Sequence, residues 1–185
     1  MTEADRAKWD SRYGGDDHWH GAFQPSAWLT KHTPKLEGGA ALDIACGVGQ
    51  NAMWLAGQGL RVVGIDGSRL GLRRAQQTAN KQGVTERVLF AQADLDQFRP
   101  APHSVNFIAV IRFLNRDLYP SIEAALKPGG WLIMETFNLD FRNVRPDIDP
   151  AFLLNHGEWR GVFGDLRVVA EDEREGVSYF AGQKA

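Results

Sequence analysis

Residues 41–68 read Ala-Leu-Asp-Ile-Ala-Cys-Gly-Val-Gly-Gln-Asn-Ala-Met-Trp-Leu-Ala-Gly-Gln-Gly-Leu-Arg-Val-Val-Gly-Ile-Asp-Gly-Ser. Ala41 to Ala45 is an apolar run broken only by Asp43, which suits a buried parallel strand. Gly47 and Gly49 allow a tight turn and a close approach of backbone to ligand, because neither carries a Cβ. From Gln50 the apolar spacing becomes helical through Ala52, Met53, Leu55 and Ala56, and Gly59 suits the position just past the helix end. Arg61 to Ile65 is a second strand, closed by Asp66 17 residues after Gly49. Strand, glycine turn, helix, strand and terminal acid make one half of a nucleotide-binding α/β fold. The helix N-terminus offers N–H groups to an anion, and the acid offers a carboxylate to two ribose hydroxyls.

Two kinds of ligand fit this half-fold. Gly47-Val-Gly49-Gln-Asn-Ala52 matches the dinucleotide pattern G-x-G-x-x-A, so a nicotinamide-dependent oxidoreductase stays open. Asp43 separates the two, because a carboxylate four residues before the first glycine repels a pyrophosphate and attracts an ammonium. The amino and carboxylate ends of methionine carried on adenosine, as in S-adenosylmethionine, match an acid at a strand tip beside a helix N-terminus. The order D-x-A-C-G-x-G over residues 43–49, then V-x-G-x-D-x-S over 62–68, resembles the first motif and its follower in class I methyltransferases. That resemblance implies a doubly wound, Rossmann-like α/β sheet of seven strands, mostly parallel with the last antiparallel. It implies S-adenosylmethionine as cofactor and methyl transfer to a small-molecule acceptor, with no metal. Asp43 is then expected at the methionyl ammonium, Ala45, Gly47, Gly49 and Asn51 around the turn, and Asp66, Gly67 and Ser68 at the ribose. A cofactor-binding regulator without catalysis is a further alternative, since no obligatory base is visible.

The 185 residues suffice for one domain with a substantial core and leave little room for a separate substrate domain. We divide the chain into an N-terminal lid, 1–39, and a cofactor-binding core, 40–185. Hydrophobic content of 43% and charged content of 24% are those of an ordinary soluble globule. A net charge of -2 argues against nucleic acid, which usually needs a basic face. No apolar run approaches a membrane span, and the polar start Met-Thr-Glu-Ala-Asp has no secretory pattern. One cysteine excludes an internal disulfide and suits a reducing cytoplasm. Nothing in the sequence sets the oligomeric state.

Before the first strand, Ala4 to Tyr13 can form a helix with Trp9 and Tyr13 four apart on one face, stopped by Gly14 and Gly15. Trp19, Phe23 and Trp28 follow, with Pro25-Ser26 as a helix start. Aromatic residues here serve equally as core over the sheet edge or as a lid over ligand. Trp9-Asp-Ser-Arg-Tyr13, followed by Pro25-Ser-Ala-Trp28-Leu29, resembles the W-D-x-R-Y opening of small-molecule methyltransferases of the tellurite-resistance and thiopurine type. The resemblance implies that the Tyr13 side of the helix meets the cofactor and the reacting centre, with Trp9 and Trp28 as neighbours.

Past the second strand, Ser68 can cap a helix from Arg69 to about Gln82 with Leu72, Ala75 and Ala79 inside, stopped by Gly83. Arg87 to Ala93 is a third strand, followed by Asp94 and Leu95. In the family an acid at this place reaches the adenine amino group, which the resemblance carries to Asp94 with Ala93 and Leu95 beside it. Val105 to Ile111 is an apolar central strand, and ligands in parallel sheets lie outside such strand ends. Ile111 is therefore placed at the cofactor, and Arg112, Asn115 and Arg116 at the acceptor. Asp117 is expected to cap a helix to Leu126, and Lys127-Pro-Gly-Gly130 to break it before a strand from Trp131 to Phe137. Asn138 to Pro150 is a polar loop with Arg142 and Arg145. A short helix around 155–164 would put Trp159 and Phe163 on one face, and two final strands, 166–170 and 177–183, would flank a turn at 171–176.

Other chemistry is weakly supported. His18 and His20 have no third ligand at metal spacing, and Cys46, with no histidine in a nucleophile pattern, reads as packing. The substrate-pocket candidates are thus Tyr13, Arg112, Asn115, Arg142 and Arg145. Arginines that face the pocket would favour an anionic acceptor, and the lack of a placed base favours one already nucleophilic, such as a thiolate or a reduced selenium or tellurium species.

Overall fold

The strands β1 (Ala40–Ile44), β2 (Arg61–Asp66), β3 (Val88–Gln92), β4 (Val105–Ile111), β5 (Leu126–Phe137), β6 (Leu166–Arg174) and β7 (Val177–Lys184) form one sheet in the order β3-β2-β1-β4-β5-β7-β6. This computed structural model describes residues 3–15 and 24–185. Trp19, Phe23, His18 and His20 lie outside the described residues. Pairing is parallel from β3 through β5, and β7 runs antiparallel to both β5 and β6. The strand order reverses between β1 and β4, which opens a crevice at their carboxyl ends.

Helices lie on both faces. Alternate residues of β1 and β4 (Ala41, Phe107, Ala109) pack under α3 (Gln50–Gly57) and α2 (Ala27–His32), while Leu42, Ile44, Ile108 and Val110 pack on α5 (Tyr119–Ala125). The Ser26 side chain caps α2, accepting from the Leu29 N–H at 3.2 Å. Trp28 of α2 is core: its Nε1–H donates to Phe180 O and its ring lies 5.1 Å from Tyr179, and it is absent from the cavity wall that Tyr13 forms. The helix α4 (Arg69–Gln82) begins at Ser68, ends at left-handed Gly83, and buries Leu72, Ala75 and Ala79 as its spacing requires.

Four expectations change. The turn before α5 (residues 116–118) is capped by Asn115, whose side chain accepts from the Asp117 N–H, so Asp117 is not the cap. Lys127-Pro-Gly-Gly130 lies inside β5 as a bulge, since the register skips from Leu126 to Trp131 opposite Val105 and Phe107. Pro128 has no N–H for the ladder, and a bulge absorbs it. The final hairpin turns at Glu175-Gly176 alone, both at positive φ, so acidic Glu171 to Glu173 and Arg174 extend β6 as a solvated edge. Trp159 and Phe163 are both buried as expected, but in place of a helix a single 3-10 turn, Glu158–Gly161, carries Trp159, and Phe163 follows it. Among the described residues no helix is long and apolar enough to cross a membrane.

Candidate functional site

After β1 the chain turns through Ala45, Gly47 and Gly49, with φ of 59°, 55° and 81°. The two glycines do different jobs. A Cβ on Gly49 would lie 2.7 Å from the Phe90 ring and 3.0 Å from Ala75, so packing of helix on sheet demands glycine there. A Cβ on Gly47 would lie 2.6 Å from Tyr13 Oη, on the wall of a cavity of about 310 Å³ at the strand ends. Gly47, and not Gly49, faces that space.

Asp66 closes the near wall. Its Oδ2 accepts from the Gly47 N–H and its Oδ1 from the Ser68 N–H, each at 2.8 Å. Burial pushes its carboxyl up, and these N–H groups hold it partly down. Tyr13 sits across it, buried between Gly47 and Gly71, and burial with the Asp66 charge pushes its phenol up. The helix carrying Tyr13, α1 (Glu3–Gly14), is fastened to α4: Asp10 Oδ1 accepts from Ser68 Oγ and the Leu70 N–H, and Arg74 donates to Gly14 O and Gly15 O. Trp9 stacks on Tyr13 at 5.8 Å and Arg12 lies over Trp9 at 5.3 Å, so all three roof the cavity.

Asp43 is displaced from its expected role. It is 1% exposed and does not line the cavity; period two puts it on the Ala41 face, beneath α3. It accepts from the Ala52 N–H, while Oδ2 has no partner among the described residues. Burial, with the nearby Asp66 charge, raises it to about 8. Ser68, Gly67 and Ala93 also stand off the wall, Ser68 as the cap of α4 and Gly67 with its carbonyl accepting from Gln92. Leu95, Asn51, Ala45 and Ile111 do line it. Asp94 does not; its carboxylate accepts from the Asp96 N–H, forming a turn.

The far wall is Ile111, Arg112, Phe113 and Phe137. Arg112 has φ 62°, a left-handed conformation that costs a side-chain-bearing residue about 1–3 kcal/mol. Its N–H donates to Glu135 O, its Nε lies 2.7 Å from Glu135 Oε1, and its guanidinium lies 4.4 Å from the Phe137 ring centre. Glu135 Oε2 accepts from Ser26 Oγ, and the Ser26 N–H donates to Asn51 Oδ1 at 2.9 Å. Glu135 thus links α2, β5 and the turn, and sequence reading overlooked it. Its visible sign was a lone acid in Trp-Leu-Ile-Met-Glu-Thr-Phe, an otherwise apolar strand. Gln50, on the wall with Oε1 unpartnered among the described residues, Arg12 and Cys46 were likewise not assigned to the site.

The other loop candidates face elsewhere. Arg116 donates to both Glu158 oxygens and to Leu153 O, Arg145 pairs with Asp147, and Arg142 is exposed on a 3-10 turn. Asn115 is the cap described above. Each is outside the cavity wall because a local partner or solvent satisfies it. No cluster of metal-ligating side chains occurs among the described residues.

The family described as a methyltransferase domain matches residues 41–130, which is the turn, both flanking strands and the crevice. The fold matches as well: a methyltransferase dependent on S-adenosylmethionine from Aquifex aeolicus superposes with a TM-score of 0.69 over all of both chains at 18% identity. The chain has the fold of the class I S-adenosylmethionine-dependent methyltransferases. It is 29% identical over 122 residues to a ubiquinone biosynthesis O-methyltransferase of Burkholderia multivorans, covering 63% of this chain and 52% of that one. It is 27% identical over 150 residues to a sterol 24-C-methyltransferase of Gibberella zeae, covering 73% and 39%. The chain thus spans about half the length of the first of these methyltransferases and less of the second.

Proposed function

We propose that the chain transfers a methyl group from S-adenosylmethionine to a small-molecule acceptor as one domain, with residues 1–39 as cover and 40–185 as core. The carrying observation is that the Gly47 turn, Asp66 and the uncapped α3 N-terminus share one cavity with Arg112 and Phe137. S-adenosylmethionine, when bound, supplies an electrophilic methyl on a sulfonium leaving group. In this reading Asp66 accepts from the ribose hydroxyls and the α3 N-terminus takes the amino-acid carboxylate. The unpartnered Gln50 Oε1 is an acceptor for the ammonium, with Asp43 behind the turn as a buried acid that burial keeps protonated at neutral pH. Leu95 and Ile111 bracket adenine, with Asp94 at its amino group. Tyr13, Trp9 and Arg12 exclude water above the reacting atoms.

Among the described residues the cavity wall offers no ready base: its one carboxylate, Asp66, is engaged by the Gly47 and Ser68 N–H groups and, in this reading, by the ribose. Burial pushes the Tyr13 phenol and the Cys46 thiol up, and Glu135 is held by Arg112 and Ser26. The acceptor therefore arrives as a nucleophile, and a thiolate or a reduced selenium or tellurium species meets that need. The W-D-x-R-Y resemblance points the same way. Calorimetry with S-adenosylmethionine and NADH tests the cofactor: tight binding of NADH alone overturns the reading. Release of S-adenosylhomocysteine tests the acceptor, with thiol turnover rising with pH as the thiolate forms. Turnover of a catechol with none of thiols would move the acceptor to oxygen, as the name of the Burkholderia relative has it.

A further inference from the structure

We propose that Arg112 is the acceptor-recognition residue of this cavity and selects an acceptor bearing a carboxylate. The proposal rests on the methyltransferase reading of the same site and adds the chemical class of what enters it. Arg112 is 42% exposed, yet four restraints fix it: the left-handed backbone, the N–H to Glu135 O, the Nε contact with Glu135 Oε1, and the Phe137 ring beneath. A pair made only to neutralise Glu135 would not need this backbone or this ring. Restraint of Nε and of one face leaves the paired Nη edge to aim into the cavity whose wall Arg112 forms.

A guanidinium edge held in this way matches the two oxygens of a carboxylate in parallel. Glu135 does not compete for that edge. Both its oxygens are engaged, one on Nε and one on Ser26 Oγ, and it lies off the cavity wall. The other charged groups on the wall are Arg12 and Asp66, on the side of Tyr13, away from Arg112's strand. Arg116 and Arg145 are bound elsewhere and Arg142 is exposed, so of these loop arginines Arg112 alone lines the cavity.

The test uses the full chain saturated with S-adenosylhomocysteine and titrated with benzoate or benzamide, which share shape and differ in charge. Benzoate is expected to bind at least tenfold more tightly than benzamide. Arg112→Met should abolish that preference, and Arg112→Lys should retain only part of it, having charge without the fork. Glu135→Gln keeps an acceptor oxygen for Nε and removes the counter-charge, so the benzoate preference should rise. If Arg112→Met does not fold because Glu135 is left unpaired, the double variant Arg112→Met with Glu135→Gln carries the same expectation. Unchanged benzoate preference in either variant, or equal binding of the two probes by the parent chain, overturns the proposal. Loss of S-adenosylhomocysteine binding by the parent chain would instead sink the cofactor reading, and the same titrations on the unliganded chain would still decide for or against Arg112.

Discussion

Gly47→Ala tests whether Tyr13 is seated on the turn as the geometry demands. The added Cβ falls 2.6 Å from Tyr13 Oη and 3.2 Å from Cζ, where ordinary contact begins at 3.4 Å. On the α4 side the ring already fills the space that a Gly71 side chain would take, a Cβ there falling 3.0 Å from Tyr13 Cδ2, so retreat that way is short. It must move outward by roughly 0.8 Å, taking α1 with it (3.4 minus 2.6). The left-handed backbone at φ 55° adds its own cost of about 1–2 kcal/mol, and the overpacking adds about 1–3 kcal/mol. Tyr13→Phe removes Oη and leaves only the 3.2 Å contact, so most of the overpacking disappears while the backbone cost stays. Gly47→Ala should thus cost about 1–2 kcal/mol more with Tyr13 intact than in the Tyr13→Phe background, a coupling typical of residues in contact. Urea unfolding of the four proteins measures it, provided the slope m is constant. Costs that add to within about 0.5 kcal/mol would refute the seating of Tyr13 on Gly47.

Other outcomes follow from the same geometry. Asp66→Ala should weaken S-adenosylmethionine and S-adenosylhomocysteine alike, each lost charge-assisted bond being worth about 1.5–3 kcal/mol; wild-type affinities in calorimetry would unseat the ribose assignment. Asp43→Asn should stabilise the fold more at high pH than at low: the raised folded pKa of about 8 means the native state binds the extra proton, so the wild type loses stability as pH rises from the ordinary carboxylate range toward 8. Parallel unfolding curves for the two proteins across that window would show Asp43 to titrate normally. Bound S-adenosylhomocysteine should slow hydrogen exchange across Trp9 to Tyr13, and equal exchange with and without it would make α1 a static cover.

Local chemistry made much of this legible. Ser68 and Gly83 bracket α4 because a hydroxyl cap and a left-handed glycine act within a few residues of the helix they bound. The apolar run 105–111 became a central strand because burial on both faces leaves no alternation to misread. Lys127-Pro-Gly-Gly130 misled because a proline that ends a helix can also sit in a strand, and only the facing register of β4 makes the bulge.

The N-terminal half of the cavity was written in contiguous residues: a turn, an acid 17 residues on, and a four-residue aromatic spacing. Side-chain direction was not. The pleat turned Asp43 under α3, and the ladder across β4 and β5 set Arg112 beside Glu135, 23 residues away. Among four arginines of equal promise, neighbours remote in sequence decided which one faced the cavity: Glu158 and Leu153 drew Arg116 aside, while Glu135, Ser26 and Phe137 held Arg112 in place. Motifs record what a segment does to its own backbone; which charge meets which partner is settled only when the sheet closes.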